Sequence, residues 1–268
     1  MVGWRTRLGD GLLRTWAGLV LLYLFLPIFV VVAFSFNDPE GKFNFVWKGF
    51  SFEAWTDPFK YPALVDAFEV SLRVALISTA IAVVLGSAIA IALVRYRWRT
   101  SKLVDLLLVL PLTTPEVVLG SSLLTLFLNL DQPLGFATIV IAHVAFQVSF
   151  VTLTVKARLR GFDWTLEDAA MDLGANPRRT FLRVTLPLML PGIVAAAMLS
   201  FALSMDDFII TYFVSGSEVT YPIFVYGAQR TELPPQINVL ATVILLVSLL
   251  GIGASYLLQR LRTRQAAV

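Results

Sequence analysis

Six long apolar runs separated by short polar segments dominate the chain. They cover approximately Trp16–Phe36, Val70–Val94, Leu103–Leu130, Leu134–Val155, Leu186–Val214 and Ile237–Leu258. A membrane-crossing helix needs about 20 predominantly apolar residues, because the hydrocarbon core is about 30 Å thick and each helical residue rises about 1.5 Å. Each run meets that length, so the pattern predicts an all-α integral membrane protein with six transmembrane helices. An even number of crossings returns the chain to its starting side, so both termini share one face.

The polar segments decide which face. Arg5, Arg7 and Arg14, then Arg95, Arg97, Arg99 and Lys102, then Lys156, Arg158, Arg160, Arg178, Arg179 and Arg183, and finally Arg260, Arg262 and Arg264 all fall on one side. The other side has only Lys42, Lys48, Lys60 and Arg230. Basic loops stay in the cytoplasm, so both termini are expected there, with the segments near 37–69, 131–133 and 215–236 facing outward. Arg73 sits near the outer end of the second span, where its stem can snorkel toward water. The first run is too long for a typical signal-peptide core and reads as a retained helix containing Pro27. The outward segment after it is rich in aromatics, from Phe43 to Tyr61, which suits an anchoring element along the interface.

Composition agrees with this reading and narrows the chemistry. Of the 268 residues 57% are apolar and 15% charged, against about 45–50% and about 25% in soluble domains. A soluble single domain and a disordered chain are both excluded. The absence of cysteine removes disulfides, thiolate metal sites and cysteine nucleophiles. A single histidine, His143, leaves no partner for a multi-histidine metal site, and in the fourth span it reads as a packing residue.

The connection from Lys156 to Thr185 departs from a random polar loop. Thr165-Leu166-Glu167-Asp168 matches a capping box, and Leu166, Ala169, Ala170 and Leu173 follow at the spacing of one helical face. Gly174 then supplies a helix stop, and Asn176-Pro177 starts a second helix that carries Phe181 and Val184 toward Leu186. Two short helices meeting at Gly174 form a compact knob. By spacing alone the knob either docks into a groove on another protein or packs under its own bundle.

Asp168-Ala169-Ala170, then Gly174, then Val184-Thr185-Leu186-Pro187 resembles the EAA loop of binding-protein-dependent ABC importer permeases, Glu-Ala-Ala-x3-Gly-x9-Ile-x-Leu-Pro. Asp168 replaces the usual Glu, with Glu167 beside it, and Val184 replaces Ile. The resemblance implies a type I ABC importer permease of MetI-like fold, with residues 67–258 as the permease transmembrane domain. Residues 1–66 then form the N-terminal tail, first helix and outward loop, and 259–268 a cytoplasmic tail. It further implies that Glu167, Asp168, Ala169, Ala170, Gly174, Leu186 and Pro187 couple to a cytoplasmic ABC ATPase dimer. A second homologous permease subunit would complete the pathway, and an extracytoplasmic substrate-binding protein would deliver substrate. The chain has no G-x-x-x-x-G-K-[ST] phosphate loop, so ATP hydrolysis comes from the partner. No enzymatic role, cofactor, metal or nucleic acid is expected, and the location implied is the bacterial plasma membrane, in contact with lipid.

Ionisable groups inside a membrane are expensive and face a cavity or a partner. Asp206 and Asp207 lie in the outer half of the fifth run, and Glu116 follows Thr113-Thr114-Pro115 in the third. Pro111 and Pro115 free backbone carbonyls of the kind that line cavities. These three carboxylates are the expected substrate-pathway residues, and they favour a cationic solute. Alternatively, Arg73 neutralises one aspartate as a buried pair. Ser204-Met205-Asp206-Asp207-Phe208, Phe213-Val214-Ser215-Gly216, Pro235-Gln236-Ile237-Asn238 and Arg160-Gly161-Phe162-Asp163 resemble segments of C-type spermidine/putrescine permeases. That resemblance implies a polyamine substrate, with ferric iron or thiamine permeases as related alternatives. An intramembrane aspartyl protease is disfavoured because its Tyr-Asp and Gly-x-Gly-Asp settings are missing. A membrane assembly scaffold without transport is the alternative from another class.

Overall fold

The structure, a computed structural model, describes residues 3–96 and 101–265, with side chains described for 11–96, 101–251 and 253. The expected basic clusters at Arg5 and Arg7, at Arg97 and Arg99, and at Arg260 to Arg264 lie outside the described side chains. Twelve α-helices are described: α1 Gly3–Phe34, α2 Glu53–Thr56, α3 Pro62–Arg95, α4 Ser101–Thr113, α5 Glu116–Asn129 and α6 Phe136–Leu159, then α7 Thr165–Asp172, α8 Pro177–Thr180, α9 Leu186–Asp206, α10 Ile209–Val214, α11 Tyr221–Ala228 and α12 Pro235–Gln265. A π turn, Phe181–Thr185, joins α8 to α9 without interruption. Strand-like pairing among the described residues is limited to two isolated bridges.

Four helical stretches are long and apolar enough to cross a membrane: Gly11–Phe34, Pro62–Arg95, Phe136–Leu159 and Pro177–Asp206. Two of the expected spans differ from the continuous helices predicted. The third is a pair, α4 and α5, bent by 106°. The fifth breaks after Asp206 and resumes as α10. In the sixth, the apolar part with described side chains, Pro235–Gly251, is shorter than a full span.

The chain divides into two compact units, one from residues up to Pro62 together with Gly227–Leu249, the other from Ala63–Tyr226 and Leu250 onward. In the first unit, the last turn of α1 is closed by side chains, which satisfy carbonyls that have no intrahelical donor. Ser35 Oγ donates to the Val32 carbonyl at 2.6 Å and Asn44 Nδ2 to the Phe34 carbonyl at 2.8 Å. Buried Asn37 then donates to Asn44 Oδ1 and the Val46 carbonyl, while its own Oδ1 accepts from the Lys48 N–H. Phe36 stacks on Phe50 and Trp55 above this polar knot. Tyr61 donates to Glu232 at 3.1 Å. Burial, and then that carboxylate, push its phenol above the ordinary value.

The second unit holds two hydrophobic clusters. In one, Val74 of α3, Phe127 of α5, Ile139 and Phe146 of α6 and Ile210 of α10 meet. In the other, Ala82, Ala90, Val151, Val155, Met189 and Ala196 bring α3, α6 and α9 together. Small residues set these distances, as is usual where helices pack without water to drive them together. A Cβ on Gly86 would stand 2.7 Å from the Val151 side chain, so α3 and α6 touch there backbone to side chain. Gly120 plays the same part between α5 and α10: a Cβ would meet Phe213 Cδ2 at 2.7 Å and the Ile210 Cα at 3.3 Å.

Gly120→Val must displace the α10 backbone, and overpacking of this kind costs about 1–3 kcal/mol. Thermal unfolding of the detergent-purified protein should show that loss. Gly253→Ala, where a Cβ meets nothing within 4 Å, should stay within about 0.5 kcal/mol of the parent. Equal midpoints for the two variants would contradict this packing.

Candidate functional site

The bend between α4 and α5 follows from two prolines. Pro111 and Pro115 lack an N–H, so the carbonyls one turn earlier lose their helical donors. The Leu110 carbonyl keeps its helical donor, the Thr114 N–H at 3.0 Å, and the Thr114 hydroxyl at 2.7 Å and the Thr113 hydroxyl at 3.2 Å reinforce that last turn of α4. Pro115 adopts extended geometry, φ −56° and ψ 134°, and α5 starts at Glu116. Glu116 therefore stands at the elbow.

The break in the fifth span contains neither proline nor glycine. Asp207 is extended, φ −65° and ψ 116°, and its Oδ2 accepts from the Thr211 N–H at 2.8 Å and the Thr211 hydroxyl at 2.6 Å. A side-chain acceptor of this kind replaces the helical acceptor that the break removes. His143 of α6, only 1% exposed, lies against the same carboxylate, with Nε2 3.3 Å from Asp207 Oδ2 and 2.9 Å from Thr211 Oγ1. Its Nδ1 is 2.6 Å from Ser204 Oγ, which in turn lies 3.3 Å from Ser78 Oγ of α3. Side chains from α9, the break and α10 converge on this one imidazole, with α3 behind Ser204.

The elbow and the break face a cavity of about 610 Å³. Glu116, Asp206 and Asp207 all line it, beside Phe146, Phe150 and Phe208. The structure thus brings the three carboxylates together. It also separates the adjacent aspartates, because Asp206 is exposed while the Asp207 side chain is 6% exposed against His143. The alternative pairing of an aspartate with Arg73 does not occur, since Arg73 is bound one turn back to Glu69 on its own helix. The reading of His143 as a packing residue is likewise incomplete: the ring does pack, yet its polar atoms hold Asp207. No local signal marks this partnership, because Ser204 and Thr211 lie 61 and 68 positions away from His143.

At the Arg95 end of α3, α7 is assembled with its carboxylate inward. Glu167, 4% exposed, pairs with Arg95 at 2.9 Å and accepts from the Thr185 hydroxyl, while the Arg95 guanidinium lies 5.8 Å from the Trp164 ring centroid. Asp168 and Ala169 are exposed, Ala170 is partly so, and Leu173 is 91% exposed. The apolar stripe of α7 does not pack into the body of the unit. Thr185 closes the π turn, in which the Leu186 N–H reaches back to the Phe181 carbonyl. Pro187 would clash with the carbonyl four residues earlier, and widening the turn relieves that clash.

The expected capping box at Thr165 is replaced by a different cap. Asp163 Oδ1 accepts from the Thr165 N–H at 3.0 Å and the Thr165 hydroxyl at 2.7 Å. These donors, the hydroxyl first, hold the Asp163 carboxyl below its ordinary range. The cap is therefore intact above the ordinary carboxylate pKa and is lost only as pH falls through the lowered one. Gly174 ends α7 at φ +84°, a left-handed conformation that suits glycine. Asn176 caps α8 as expected, its Oδ1 accepting from the Arg179 N–H at 2.8 Å with Pro177 at the first position.

Helices broken around a carboxylate-lined cavity, together with a projecting helical loop, fit a polytopic transport permease. The chain belongs to the family described as binding-protein-dependent transport system inner membrane component, whose model matches residues 82–265. It is 36% identical over 246 residues to the spermidine/putrescine transport system permease protein PotC of Escherichia coli K12, covering 91% of this chain and 92% of that one. It is 37% identical over 258 residues to the putrescine transport system permease protein PotI of the same organism, covering 91% of each. Its fold matches a bacterial ABC transporter that imports alginate, with TM-score 0.68, 13% identity and coverage of 96% of this chain and 99% of that one. It also matches the inward-facing MetNI methionine ABC transporter, with TM-score 0.56, 18% identity and coverage of 74% and 94%. The chain is accordingly an all-helical, multi-pass inner-membrane permease of the ABC importer type.

Glu167→Ala leaves the half-exposed Arg95 and the buried Thr185 hydroxyl without their acceptor, and loosening of α7 by about 1–3 kcal/mol should follow. Hydrogen exchange across residues 163–176 reads the change. Asp168→Asn, at an exposed position, should leave protection within about 0.5 kcal/mol. Equal loss in both variants would show that Glu167 does not anchor the loop.

Proposed function

We propose that this chain is the permease subunit of an ATP-driven polyamine importer, forming half of the translocation pathway for spermidine or putrescine. The observation that carries this reading is the cavity beside the two helix breaks. Three carboxylates line it, and no Lys or Arg stands among its described lining residues. Carboxylates attract ammonium groups and repel sulfate or phosphate, and the walls of Phe146, Phe150 and Phe208 suit the methylene segments between them. Relatives named for spermidine and putrescine point the same way. Asp206 and Glu116 meet the substrate, and Asp207 shapes the wall.

Coupling runs through the projecting loop. Glu167 fixes α7 to the bundle, and Asp168, Ala169, Ala170 and Gly174, with exposed Leu173, form the surface that enters an ATPase groove. Leu186 and Pro187 begin the fifth span directly after the π turn, so movement of the loop is passed to the helix that ends at Asp206. A cytoplasmic ATPase dimer, a second permease and an extracytoplasmic binding protein complete the machine. The excess of basic residues in the loops on that side supports a cytoplasmic location for the coupling knob and both termini.

The test is reconstitution of the chain with these partners in proteoliposomes. Spermidine should stimulate ATP hydrolysis and accumulate inside. Gly174→Asp, which puts a side chain on a left-handed residue in open space, should leave the chain in the membrane, release the ATPase and abolish uptake. Uptake of ferric iron or thiamine with no response to polyamines would replace the substrate. A chain that assembles with its partners yet moves no solute would be a scaffold.

A further inference from the structure

Two neighbouring carboxylates at one helix break have opposite surroundings. Asp206 opens into the cavity with Glu116, whereas the Asp207 side chain is 6% exposed and is met by the Thr211 N–H, the Thr211 hydroxyl and His143 Nε2. His143 is itself gripped from behind by Ser204, and Ser204 by Ser78. Because Thr211 Oγ1 already donates its proton to Asp207, the proton on Nε2 faces the carboxylate and the threonine oxygen, in either charge state of the ring. The imidazole thus ties α6 to both sides of the break, Ser204 before it and Thr211 after it.

We propose that His143 is a positioning residue of the permeation pathway. By holding Asp207 in the wall it fixes the break so that the preceding residue, Asp206, is the one presented to the cavity. The two aspartates then have different tasks: Asp207 is the structural anion of the break, and Asp206 is the substrate-facing one. This inference rests on the reading of the cavity as a cation path.

Isosteric replacements separate the two edges of the ring. Glutamine carries a donor where Nε2 stands, and asparagine reaches only the Nδ1 position. His143→Gln should keep the hold on Asp207, and His143→Asn should lose it while keeping contact with Ser204. The chain has no cysteine, so Asp206→Cys introduces a single thiol whose labelling by a cationic methanethiosulfonate reagent is read by mass shift of this subunit in the assembled importer. With His143 or His143→Gln, labelling should be equally fast; with His143→Asn it should slow by about tenfold, the weight of a hydrogen bond to a charged group. Spermidine uptake, measured with Asp206 intact, should fall in the same order.

Should His143→Asn lower the amount of protein in the membrane, adding Asp207→Asn removes the orphaned carboxylate and should restore it. Equal labelling in the asparagine and glutamine backgrounds, or no restoration by the paired change, would overturn the proposal. Undiminished uptake by Asp206→Asn would instead remove the cation-path reading, while the labelling contrast still decides what His143 holds.

Discussion

Inside hydrocarbon a backbone polar group without a partner costs several kcal/mol, so a transmembrane helix breaks only where something else satisfies the freed groups. The whole site depends on that constraint. At the elbow between α4 and α5, the Thr113 and Thr114 hydroxyls join the backbone N–H already bonded to the Leu110 carbonyl and hold the last turn of α4. At the end of α9, Asp207 supplies the acceptor for Thr211 and is itself held by His143. Each break is stabilised by polar side chains, and each exposes a carboxylate to the same cavity. The carboxylate-lined cavity and the interruptions in the helices are therefore one structural feature.

The same economy governs the other end of the unit. A buried glutamate is unfavourable unless it is paired and hydrogen-bonded. Glu167 meets both conditions through Arg95 and Thr185. With that carboxylate turned inward, the small and apolar residues of α7 are left outward, where Leu173 projects almost fully exposed. The anchor joins α3, α7 and the π turn that runs directly into α9, the helix whose far end is Asp206. Cavity and knob lie at opposite ends of one helix.

Much of this was legible in the residue pattern, for identifiable reasons. Apolar runs of span length announce membrane helices because hydrocarbon tolerates few alternatives, and the loop motif announces the family because its spacing is long and specific. The bend at Pro115 was foreshadowed by the two prolines. The break at Asp206-Asp207 was hidden inside a continuous apolar run, and its one signal was a pair of carboxylates where charge is costly. The alternative pairing of Arg73 with an aspartate is not adopted for a local reason: Glu69, four residues earlier, is within reach on the same helix face, and that nearer partner takes it. Asp163 displaced the expected capping box because an aspartate two residues before Thr165 captures its N–H and turns its hydroxyl into a donor, so that oxygen no longer caps the helix. The bond between His143 and Asp207 joins distant positions, and no periodicity encodes such a contact.

The central claim is that Glu116 and Asp206 create the cation pathway at the two breaks. The most direct measurement is uptake of labelled spermidine by the reconstituted importer carrying Glu116→Gln together with Asp206→Asn, with ATPase association followed in the same preparation. Uptake should fall at least about tenfold, the weight of one lost charge-assisted contact, with the ATPase still bound. Full uptake by that double variant would contradict it.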